Sequence, residues 1–230
     1  MAICRITVAR SLSSMQALFV HGMGRSPLSG WPMLRHIKKA GIRTRCFGYS
    51  VSLQSFSEIQ VRLIRWIEEI AAKGDYVLIG HSLGGVLIRS ALSSLPAGTN
   101  QPKHVFLLGS PIKACHLAQR FHKNILFRSV TRDCGHLLSS IERMAAIPCS
   151  KPSTTGIAGI KGLSGKLSPF GTEFNDGIVS LSEVSADWLT DQVKLPIIHS
   201  LLPSSKQVAQ IIIQRINCKD THARFSNQIP

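Results

Sequence analysis

Ten residues, Tyr76-Val77-Leu78-Ile79-Gly80-His81-Ser82-Leu83-Gly84-Gly85, constrain the fold of this chain more than any other stretch. Four apolar residues run into a Gly-x-Ser-x-Gly turn, and a helix-forming segment, Val86-Leu87-Ile88-Arg89-Ser90-Ala91-Leu92, leaves it. Strand, sharp turn and helix in that order is the context in which this motif carries chemistry. The turn holds the serine in a strained conformation at a sheet edge, and glycine at both flanking positions lets neighbouring backbones pass close by. Ser82 then projects its hydroxyl into open space beside a helix N-terminus, where the Leu83 N–H can meet a developing oxyanion. The competing explanation is a glycine-rich turn whose serine merely caps the helix. The buried strand before the motif and the double glycine within it favour a nucleophile, and Ser82 is the candidate.

Upstream, residues 16–20 read as a buried strand ending in His21-Gly22-Met23-Gly24. A dinucleotide fingerprint needs a third glycine where Pro27 stands, and the following strand, residues 43–47, offers no acid for a ribose. The Gly-Lys-Ser/Thr of a phosphate-cradling loop is also missing. A strand ending in His-Gly-x suits instead a loop whose backbone N–H, that of Met23, faces Ser82; the alternative is a plain glycine turn. Residues 31–40 have helical spacing and stop at Gly41. Ser57 and Gln60 resemble a capping box opening an amphipathic helix that ends at Gly74, with Trp66 as a core residue.

Downstream, residues 104–108 form the next buried strand. Strands alternating with helices imply an α/β fold: a mostly parallel central sheet flanked by helices on both faces. Beyond Gly109-Ser110-Pro111 the pattern loosens into weakly amphipathic helices, residues 117–127 and 137–144, with Lys113, Arg120, Lys123, Arg128 and Arg132 among them. Residues 112–150 are read as a small helical cap, against the alternative of an ordinary helical connection. Residues 155–160 and 193–198 read as the last strands, and residues 204–216 as a closing helix. The domain is placed at 15–216, with a leader at 1–14 and a tail at 217–230.

A serine hydroxyl needs a base to take its proton, and that base needs a carboxylate to fix its tautomer. On such a sheet the chain order is serine, acid, histidine. Of the nine histidines, His21 and His81 come too early, His136 falls in the cap and His222 in the tail. His199 follows a strand. Asp176 precedes it by 23 residues, room for one helix and one strand, and sits in Asn175-Asp176-Gly177, where it could equally be a turn-forming acid. Asp187 and Asp191 are its rivals.

Together, Gly80-His81-Ser82-Leu83-Gly84-Gly85, His21-Gly22-Met23, Asn175-Asp176-Gly177-Ile178-Val179 and His199 resemble the α/β-hydrolase superfamily. More narrowly they resemble small bacterial lipases and esterases and their inositol-deacylase-like relatives, over residues 16–216. The resemblance implies carboxylic-ester hydrolysis through an acyl-enzyme. Ser82 would be the nucleophile, His199 the acid/base, Asp176 its partner, and the Met23 and Leu83 N–H groups the oxyanion hole, with no cofactor. Such proteins often carry a histidine after Gly-Ser-Pro; here Ile112-Lys113-Ala114 follow. Acyl transfer to another acceptor would use the same residues, and a third reading is a basic lipid- or nucleic-acid-binding protein on a hydrolase scaffold.

Lysine and arginine outnumber acids 27 to 12, giving a net charge of +15. That excess favours anions, against the alternative of a plain basic solvated surface. The basic residues are dispersed and aromatics make up only 6%, so no stacking platform for nucleic acid is expected. The partners expected are a small-molecule or lipid ester and, peripherally, an anionic membrane surface. Six cysteines without Cys-x-x-Cys spacing point to neither a zinc site nor a disulfide framework. Residues 1–14 lack a continuous apolar core for a signal peptide, and no run approaches the ~18 apolar residues of a membrane span. The location expected is cytoplasmic.

Overall fold

The computed structural model describes residues 15–225 apart from residue 167; residues 1–14 and 226–230 lie outside the described residues. Six strands, β1 (Gln16–Val20), β2 (Arg43–Phe47), β3 (Tyr76–His81), β4 (His104–Leu108), β5 (Thr154–Gly159) and β6 (Asp191–Leu195), form one sheet. Their order is β2-β1-β3-β4-β5-β6, and every neighbouring pair is parallel. Parallel strands need crossovers, and these put helices on both faces.

Side chains alternate between the faces, which is why the central strands read as unbroken apolar runs. Ala17, Phe19, Val77, Ile79, Phe106 and Leu108 pack against α1 (Trp31–Lys39) and α7 (Lys206–Phe225). Leu18, Val20, Leu78, Val105 and Leu107 pack against α2 (Phe56–Ala71) and α3 (Leu83–Ser93). The pairings Val20↔Gly80 and His81↔Leu108 bring the ends of β1, β3 and β4 to one edge. Among the described residues, no helix is long and apolar enough to cross a membrane.

The structure differs from the sequence expectation at several boundaries. The capping box of α2 uses Ser55, not Ser57: Ser55 Oγ accepts from Glu58 N, and Glu58 Oε2 accepts from Ser55 N at 2.7 Å. Residues 117–127 are not one helix. α4 (His116–Phe121) stops, and Asn124 opens α5 (Ile125–Ser139) by accepting from Phe127 N. α5 is kinked at Arg132, whose φ of 45° is left-handed. Ser140 then caps a separate α6 (Ile141–Ala145). β6 ends at Leu195 rather than residue 198, because Pro196 has no N–H to continue a ladder. His199 therefore begins a 3₁₀ turn, His199–Ser204, instead of following a strand directly. α7 runs on to Phe225, well into the segment read as a tail.

Candidate active site

The site begins with the backbone of Ser82. Its φ of 52° and ψ of −124° place a non-glycine residue in a sparsely allowed region. Three glycines make the turn feasible. A Cβ on Gly80 would lie 2.5 Å from the Gly85 backbone, and one on Gly84 would lie 2.2 Å from the Val20 carbonyl oxygen. A Cβ on Gly85 would collide with the side chain of Ser110. Helix α3 thus lies directly on the ends of β1 and β3. Ser82 occupies the N-cap position of α3, yet its side chain makes no capping hydrogen bond. Helix capping does not account for this serine. Its N–H donates to Leu108 O at 2.9 Å, tying the turn to β4.

Asp176 and His199 are joined twice. Asp176 Oδ2 accepts from His199 Nδ1 at 2.7 Å, and Asp176 O accepts from His199 N at 2.9 Å. The other carboxylate oxygen, Oδ1, accepts from Ile178 N at 3.0 Å and Val179 N at 2.9 Å. Asp176 N donates to Val179 O, closing a tight turn in which Gly177 adopts a φ of 96°. Both side chains are buried. A carboxylate cannot donate, so Nδ1 carries the hydrogen and the lone pair of the ring sits on Nε2. Asp176 is both turn former and histidine partner, one oxygen for each.

The rival acids lie elsewhere. Asp187 is exposed. Asp191 opens β6, at the opposite end of the sheet from the Ser82 turn, and pairs with Arg215 Nε at 2.6 Å.

Serine and histidine share neighbours. A Cβ on Gly109 would lie 3.0 Å from both Asp176 Oδ2 and His199 Nδ1, and the adjoining Leu108 carbonyl holds Ser82. His81, next to Ser82, has its ring centroid 4.8 Å from that of His199. Its Nε2–H donates to His199 O at 3.1 Å, while Nδ1 has no partner. Burial, with His199 nearby, drives the His81 pKa well below the ordinary 6.5, so the ring is neutral at physiological pH.

The His21-Gly22-Met23 loop runs against Ser82: a Cβ on Gly22 would lie 3.1 Å from Ser82 Cβ. Tyr49 braces this loop. Its ring stacks on His21 at 4.2 Å, and its hydroxyl donates to His21 O at 2.8 Å. His21 Nδ1–H donates to Gly22 O, and Nε2 accepts from Tyr49 N. Met23 is half-buried beside this loop, and Leu83 heads α3, where the first N–H groups have no intrahelical acceptor.

Three contributors were missed in the sequence. His81 looked like a motif residue only, because its contact with His199 spans 118 residues. Tyr49 lies 28 residues from His21 and carries no pattern. Glu183, buried, accepts from Ser180 N at 2.7 Å and also from His116 N, linking the Asp176 loop to the start of α4.

No family model matches the chain, and no curated protein matches it. Solved structures do. A thioesterase of the prodiginine biosynthetic pathway in Streptomyces coelicolor superposes with a TM-score of 0.60 at 15% identity, covering 90% of this chain and 91% of that one. A metagenomic carboxyl esterase gives 0.64 at 16% identity, over 90% and 76%. A lipase-esterase related protein from Clostridium acetobutylicum gives 0.55 at 15%, over 87% and 93%. With its parallel six-stranded sheet, the chain has the α/β-hydrolase fold.

Proposed function

We propose that this protein is a serine hydrolase that cleaves carboxylic esters through an acyl-enzyme. The observation that carries this reading is the buried Asp176–His199 pair, hydrogen-bonded at 2.7 Å beside the strained Ser82 turn. The fold shared with esterases and thioesterases supports acyl chemistry but does not choose between oxygen and sulfur esters.

Ser82 Oγ attacks the ester carbonyl carbon while its proton passes to His199 Nε2. Asp176 stabilises the imidazolium and holds its orientation. The carbonyl oxygen becomes an oxyanion and accepts from the Met23 and Leu83 N–H groups. Collapse of this intermediate expels the alcohol or thiol, which takes the proton from Nε2. Water, deprotonated by the same nitrogen, then releases the acid and restores Ser82. Every group needed is an amino acid or water, so the scheme calls for no cofactor.

The test is hydrolysis of an acyl-length series of p-nitrophenyl esters and matched thioesters, together with labelling by a fluorophosphonate. Ser82→Ala should lower kcat by at least about a thousandfold and abolish labelling. Undiminished turnover or labelling in that variant would remove Ser82 from the mechanism.

A further inference from the structure

Away from the Ser82 site, the cap presents large apolar side chains to solvent. Ile125 is 81% exposed, Leu126 70% and Val130 50%, and Phe121 is also exposed. Leu53, 80% exposed, adjoins them: Ser52 Oγ donates to Val130 O, and Arg132 Nη1 donates to Ser52 O. Isolated exposed apolar residues are ordinary, but five on neighbouring turns form a patch. Exposed Arg120, Lys123, Arg128 and Arg132 are interspersed with them.

The charge is one-sided. No acidic residue occurs between Asp75 and Asp133. Asp133 is engaged by Arg143 Nη1 and Phe56 N, and Glu58, which faces Arg132, is held by Ser55. A recess of about 1020 Å³ opens here, lined by Lys123, Arg128, Arg132 and the Arg143-paired Asp133 among others, and by none of Ser82, Asp176 or His199.

Apolar side chains interspersed with cations, where the nearby acids Asp133 and Glu58 are each engaged by hydrogen-bond partners, match the boundary between anionic headgroups and acyl chains. A nucleic-acid surface would have no use for Ile125 and Leu126, and stacking aromatics are few. We propose that this face of α4 and α5, with Leu53, docks the protein on an anionic phospholipid bilayer. Ile125, Leu126 and Leu53 enter the headgroup layer, while Lys123, Arg128 and Arg132 contact lipid phosphates. Docking does not require ester hydrolysis, and the two are tested apart.

The full chain carrying Ser82→Ala is sedimented with phosphatidylcholine vesicles, with and without phosphatidylserine, at low and high salt. Binding should require phosphatidylserine and weaken with salt. Lys123→Gln/Arg128→Gln should lower the partition coefficient at least about tenfold. Ile125→Ser/Leu126→Ser should lower it comparably. All four positions are exposed, so circular-dichroism melts of the variants should match the parent, and in the chain with Ser82 intact turnover of soluble short esters should be unchanged. Absence of sedimentation, equal sedimentation of parent and variants, or equal binding to phosphatidylcholine alone would overturn the assignment. So would an acidic peptide or a DNA duplex that binds more tightly with the same sensitivity to these substitutions.

Discussion

Asp176 divides its two carboxylate oxygens: Oδ1 closes the turn through Ile178 N and Val179 N, and Oδ2 receives the His199 hydrogen. The division allows an isosteric test. In Asp176→Asn the amide oxygen can keep the turn, but an NH₂ group then faces Nδ1. Only the tautomer with its hydrogen on Nε2 fits, and that ring cannot accept a proton from serine. The expected result is a fall in kcat of about 10⁴-fold, the size seen for the same change in a serine protease triad, with the melting temperature little altered. A large loss of thermal stability would instead make Asp176 mainly a turn residue.

At the scale of elements, the strand-turn-helix unit of β3 and α3 has little tolerance. Gly80 faces the backbone of Gly85, not a side chain that could swing aside. Gly80→Ala should therefore destabilise the fold by about 2 kcal/mol or more in urea denaturation, although only one methyl is added. An unchanged midpoint would mean that α3 can shift off the sheet. This unit was legible in the sequence because everything that defines it lies within ten residues. The cap was not. Its helices are short, and their ends depend on Asn124 and Ser140 accepting from backbone N–H groups three residues on, which apolar spacing does not encode.

For the whole molecule, the two histidines beside the site set the acid limit of the fold. His21 and His81 both have pKa values lowered chiefly by burial. Their hydrogen bonds fit only neutral rings: protonation would cost His21 the bond from Tyr49 N and give His81 a buried N–H with no acceptor. The unfolded chain therefore binds more protons than the folded one below the ordinary imidazole value of 6.5. Their contribution is complete above that pH and is lost as the pH falls toward the depressed values. At most two protons are involved, a slope of up to about 2.7 kcal/mol per pH unit. Glu173 and Asp133, whose pKa values are lowered by their hydrogen-bond partners, add their losses only in more acid solution. Melting temperatures should be flat from neutral pH to about 6.5 and decline below it, and His81→Asn should shallow that decline. A flat profile down to pH 5 would show that both rings take up protons in the folded chain as readily as in the unfolded one.

What the sequence determined by itself was local: the buried central strands from apolar runs, the paired glycines around Ser82, and the order of serine, acid and histidine along the chain. Burial periodicity and turn chemistry act over a few residues, so one chain suffices to read them. Tertiary structure decided which acid meets His199, since Asp187 and Asp191 satisfy the same chain order but lie away from the turn. It also decided that His81 would reach His199 across 118 residues and that Tyr49 would brace the Met23 loop. Such contacts depend on how crossovers return the chain to one sheet edge. A hydrogen bond made there leaves no trace in the spacing of the residues that form it.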